Sequence, residues 1–79
     1  MKLRVYLTFS ADIVREPIIW KLGHEFDVVT NIRTAEVKED MGLVGLEIEG
    51  AQDVVEASVR WLVEQGVHVE PIEQSVIEG

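Results

Sequence analysis

Phe26-Asp27-Val28-Val29-Thr30-Asn31-Ile32-Arg33-Thr34 is the stretch on which the reading of this chain turns. Its β-branched residues favour a strand, yet an amide, Asn31, stands where propensity alone would place another Val or Thr. The strand predicted around it runs from about Asp27 to Lys38, roughly 35–40 Å if fully extended. Alternation puts Val28, Thr30, Ile32 and Thr34 on one face and Val29, Asn31, Arg33, Ala35 and Val37 on the other. Phe26 and Ile32 are apolar and are expected in the core, so the first set is assigned to the covered face. Asn31 and Arg33 then project together from the open face.

Upstream, Lys2 to Phe9 alternates cleanly, with Leu3, Val5, Leu7 and Phe9 on one side and Lys2, Arg4, Tyr6 and Thr8 on the other. Ser10-Ala11-Asp12 supplies turn formers and a candidate N-cap before a helical stripe of Ile18, Ile19, Leu22 and Phe26. Pro17 suits the first turn, where its missing N–H costs nothing. Trp20 falls at the margin of that stripe. Downstream, Glu39-Asp40-Met41-Gly42 reads as a hairpin turn with Gly42 free to take positive φ. A third strand, Leu43 to Glu49, points Val44, Leu46 and Ile48 inward and Leu43, Gly45, Glu47 and Glu49 outward. Asp53 is the expected cap of a second helix carrying Val55, Val59 and Leu62, with Trp61 at its edge and Gly66 as its stop. Val67, Val69 and Ile72 form a last strand that Pro71 confines to a sheet edge.

The order is βαββαβ. Right-handed crossovers and two helices on one face lead to the α+β ferredoxin-like arrangement, a four-stranded antiparallel sheet in the order 4-1-3-2. Residues 1–79 are expected to form one domain, with a disordered tail from Ser75 to Gly79. The second strand becomes an exposed edge.

Composition narrows the function classes. Seven basic against fifteen acidic side chains give a formal charge of −8, which disfavours nucleic acid and anionic membrane surfaces. There is no Cys, so disulfides, thiol redox chemistry, iron–sulfur ligation and Cys-based zinc sites are excluded. No apolar run is long enough for a membrane span and no leader precedes the first strand, so a cytoplasmic address is expected. The phosphate-cradling G-x-x-x-x-G-K-[ST] loop is missing. His24 and His68, the two imidazoles, lie at a helix end and on the last strand and have no ligand spacing. Paired carboxylates and a Ser–His–Asp set are also missing. The expectation is a noncatalytic chain without cofactor or metal.

What chemistry remains lies on the open face: Tyr6 from the first strand, Asn31 and Arg33 from the second, Gly45 from the third. Gly45 leaves a hollow between larger neighbours. Arg33 offers a fork for a carboxylate, Asn31 both a donor and an acceptor, and Glu47 a charge for an ammonium. Together these suit a zwitterion. The competing explanation is that Asn31 and Arg33 discourage aggregation at an edge, as polar residues on edges do.

The succession of features resembles the NIL domain, the small ferredoxin-like module at the C-terminus of methionine-importer ATPases and in some ferredoxin-type proteins. The matching features are Val5-Tyr6-Leu7-Thr8-Phe9, Glu16-Pro17-Ile18-Ile19, Asn31-Ile32, Gly42 and Gly50 around the third strand, and Ala57 to Gly66 with Trp61-Leu62. The Asn-Ile-Leu triplet that names the family reads Asn31-Ile32-Arg33 here. The resemblance implies a regulatory, ligand-binding module that pairs and holds methionine at or near the contact, with Asn31 as the polar contact. Arg33, Tyr6 and Gly45 rest on strand phase alone. The expectation is therefore a homodimer that binds a methionine-like amino acid. The rival is an interaction module that docks on a transporter subunit or an iron–sulfur or redox protein and binds no metabolite.

Overall fold

A computed structural model describes residues 1–72. The expected tail at Ser75–Gly79 lies outside the described residues. The elements are β1 (Lys2–Phe9), α1 (Ile18–Glu25), β2 (Val29–Val37), β3 (Gly42–Glu49), α2 (Gln52–Glu64) and β4 (His68–Pro71). They form one antiparallel sheet in the order β2-β3-β1-β4, the expected ferredoxin-like topology.

The core follows from alternation on the two central strands. Val5, Leu7 and Phe9 of β1 and Val44, Leu46 and Ile48 of β3 are buried beneath Ile18 and Leu22 of α1 and Val55 and Leu62 of α2. Ser58 is buried within α2, where its hydroxyl donates to the Val55 carbonyl at 2.6 Å and so meets its own hydrogen-bonding need. Trp61 packs edge-on to Phe26, with ring centroids 6.0 Å apart, and fastens α2 to the end of α1.

Gly66 ends α2 as expected. It has φ +94, its N–H donates to Val63 and the Val67 N–H to Leu62, the paired bonds of a Schellman motif. The other helix boundaries differ from expectation. Residues 11–16 form turns closed by Ile13 and Val14 N–H groups on the Ser10 carbonyl, so Asp12 caps nothing, and α1 starts only after Pro17 at the N-cap. The cap of α2 is Ala51, and Asp53 sits inside the first turn, where its charge still favours the helix dipole. Gly42 opens β3 without positive φ. Its requirement is space, since a Cβ there would lie 3.2 Å from Val14.

The second strand departs most from the expected pattern. A β-bulge interrupts its pairing with β3: Ile32 opposes Leu46 and Thr34 opposes Gly45, so Arg33 and Thr34 together face one residue. Past the bulge the phase reverses. Thr34, expected on the covered face, shares the open face with Gly45, whereas Ala35 and Val37 oppose the inward residues Val44 and Gly42 on the helical side. Ile32 does lie on the helical side but is 53% exposed and does not join the core. At eight residues α1 spans about 12 Å, and β2, with nine residues, about 30 Å. The helix is too short to roof the whole strand.

Candidate ligand site on the open face of the sheet

Antiparallel register arranges the open face into rows that run across the strands. One row reads Asn31, Glu47, Arg4; the next reads Thr34, Gly45, Tyr6, Glu70. In the second row Gly45 removes a side chain between Thr34 and Tyr6. A Cβ built there would fall 2.7 Å from the Thr34 hydroxyl oxygen and 3.5 Å from the Tyr6 ring. The missing side chain forms the floor of a hollow of about 210 Å³ lined by Arg4, Tyr6, Arg33, Thr34, Leu46 and Ile72 around Gly45. The bulge is what lets Arg33 reach it, because two consecutive residues of β2 are accommodated opposite the glycine.

Three of the four sequence-predicted site residues, Tyr6, Arg33 and Gly45, therefore meet in one hollow. Asn31 lies on the same face, exposed, in the neighbouring row opposite Glu47, and does not line it. Thr34 and Arg4 were not foreseen. Unbroken alternation places Thr34 on the wrong face, and Arg4 reads as an ordinary solvated strand cation. A glycine inside a strand does hint at a bulge in its partner, and Gly45 was the available signal.

Glu47 has a different role from the one expected. It is buried although charged, and its carboxylate accepts from Arg4 Nε at 3.0 Å. That bond holds its carboxyl below the ordinary range, against the opposing effect of burial and with help from the charges of Lys2, Arg4 and Arg33. Glu47 is thus already engaged by a guanidinium and is poorly placed to serve an ammonium. Arg33 makes no hydrogen bond or ion pair to a side chain among the described residues.

A second concavity lies on the opposite side of β2. Ile19, Trp20, Gly23 and His24 of α1 face Thr30 and Ile32 across an open groove. Trp20 is 63% exposed and stacks on His24, with ring centroids 4.5 Å apart and planes 18° from parallel. The groove is the space left by the short helix. No group of three or more His, Asp or Glu side chains suited to a metal occurs among the described residues, and none of their helices is long and apolar enough to cross a membrane.

A scan against protein-family models matches the NIL domain over residues 3–71. The chain belongs to the NIL domain family. The match takes in every strand and both helices, and with them Asn31 and the bulge at Arg33. Among solved structures, this NIL domain is similar to the C-terminal domain of an ABC transporter ATP-binding protein from Enterococcus faecalis. That likeness has a TM-score of 0.79 at 22% identity, covering 92% of this chain and 86% of the other. It is a likeness of fold. No curated protein sequence matches the chain.

Proposed function

We propose that this NIL domain is a noncatalytic regulatory module of a transporter ATPase system, which binds a methionine-like amino acid on the open face of its sheet as a homodimer. The observation that carries the reading is the hollow over Gly45, where Arg33 and two hydroxyl-bearing side chains converge one row from Asn31. Family membership and the transporter subunit bearing the similar fold support the regulatory setting. In this reading Asn31 closes the ligand over the rim of the hollow. The dimer forms along β2, whose outer edge is unpaired among the described residues and is flanked by the exposed apolar residues Val29, Ile32 and Trp20.

Backbone NMR during titration with methionine tests the binding half. The expected result is saturable shifts at Asn31, Arg33 and Gly45, lost in Asn31→Ala with the fold unchanged. Silence at those amides up to millimolar ligand overturns it. Light scattering tests the dimer: a monomer at every concentration removes that half, and loss of the dimer in Ile32→Glu assigns it to β2.

A second reading, a docking module that binds no metabolite, draws on the groove between Trp20 and Ile32. If Trp20→Ala abolishes association with a transporter ATPase while methionine leaves every amide unmoved, this reading replaces the first.

A further inference from the structure

The side chains around the hollow have an uneven chemistry. Arg4 and Arg33 supply guanidinium groups, Tyr6 and Thr34 supply hydroxyls, and no carboxylate among the described residues lines it. Two acids of the described residues stand just outside. Glu47 is committed to Arg4 Nε, and Glu70 lies beyond Tyr6 on β4. In a chain of net charge −8 this is a local patch of the opposite sign. Such a patch concentrates small anions against the long-range field of the molecule.

Each guanidinium has five N–H donors and no acceptor. One donor of Arg4 is spent on Glu47, and Arg33 spends none on a side chain among the described residues. Planar, forked donors match a carboxylate's two oxygens. The remaining wall is apolar, from Ile72 and the Tyr6 ring, while Leu46 borders it through backbone alone, its side chain being buried on the helical side. At about 210 Å³ the space equals roughly seven waters' share of liquid volume, suited to a short organic acid.

We propose that the hollow recognises the carboxylate of a small, partly apolar acid and that an α-amino group contributes nothing to its binding there. Tyr6 and Thr34 orient the carboxylate, Arg33 neutralises it, and the Gly45 floor admits the acid's chain against the Tyr6 ring and Ile72. The inference rests on the open face being the ligand site and assigns recognition to the ligand's carboxylate rather than to the whole zwitterion.

Three matched probes test it by calorimetry and by amide shifts at Arg33 and Gly45: methionine, 4-(methylthio)butanoate, which lacks the amino group, and methioninol, which keeps the amine and lacks the carboxylate. The expected result is that both acids bind within about threefold of each other and methioninol does not bind, with Arg33→Gln weakening both acids by about tenfold. The thermal midpoint of that variant should remain unchanged, since Arg33 is exposed. Methionine binding without 4-(methylthio)butanoate binding overturns the inference and leaves the amino-acid reading standing. Methioninol binding as tightly as the acids overturns it too. Silence from all three overturns both.

Discussion

Two adjacent rungs of the sheet behave in opposite ways, although they differ by a single residue on β1 and β3. The rung Ile32, Leu46, Val5 faces the helices; the rung Thr34, Gly45, Tyr6 faces away from them. On the first, burial rises from 53% exposure at Ile32 to none at Leu46 and Val5, as the cover of the helices becomes complete. On the second, absence of a side chain at the central position makes room for something other than protein. Packing on the helical side decides stability and leaves its outer end bare, whereas the open side gives up packing for a charged hollow. The bulge at Arg33 is the joint between them.

The largest expected effect lies at the buried end of the first rung. Leu46→Ala should cost about 2–5 kcal/mol in urea denaturation, because the cavity it leaves is enclosed. Ile32→Ala, its cross-strand partner, should cost about 1 kcal/mol under dilute, monomeric conditions, since half of its surface is already in water. Equal losses at the two positions would show that β2 is covered after all and break the contrast.

Acid titration sharpens the second side. The Glu47 carboxyl is held below its ordinary value, chiefly by the Arg4 hydrogen bond. Its contribution to stability is therefore complete above the unfolded value of about 4.3 and is lost as the pH falls from there through the folded value. In Glu47→Gln, denaturation midpoints measured from pH 6 downward should fall less steeply below that point; an unchanged acid limb would detach Glu47 from the network. The smallest stability effect is expected at Arg33→Gln, within about 0.5 kcal/mol, as for exposed positions in general. A larger loss by thermal melting would mean that Arg33 holds the bulge together.

The architecture was legible because its signals were physical and local. Alternation from Lys2 to Phe9 marked a half-buried strand, Gly66 marked a helix stop that needs positive φ, and Pro71 marked an edge. Tyr6, Arg33 and Gly45 could be placed on one face for the same reason. Where both sides of a strand are wet, polarity no longer reports phase. Every residue of β2 from Asn31 onward is exposed, so nothing in its pattern distinguishes Thr34 turned one way from Thr34 turned the other. Asp12 and Asp53 misled because their side chains can cap wherever a helix begins; the turns at residues 11–16 moved the start of α1 to Ile18, and α2 begins earlier than a cap at Asp53 requires, with Ala51 as its cap. Engagement of Glu47 by Arg4 depends on the pairing of β1 with β3, a register that no single segment contains.

One extra residue in a strand also keeps count for the chain. If Arg33 were deleted, Ile32 and Thr34 would become consecutive and the ladder with β3 could run on without interruption. The loss would remove a charge from the hollow and, at the same time, the local kink that raises the twist of β2. A straighter, uninterrupted outer strand is a better template for stacking copies than for seating one partner. In a family aligned along this segment, a one-residue gap at this position would therefore mark a change of assembly as much as a change of ligand, and sequence length alone would report it.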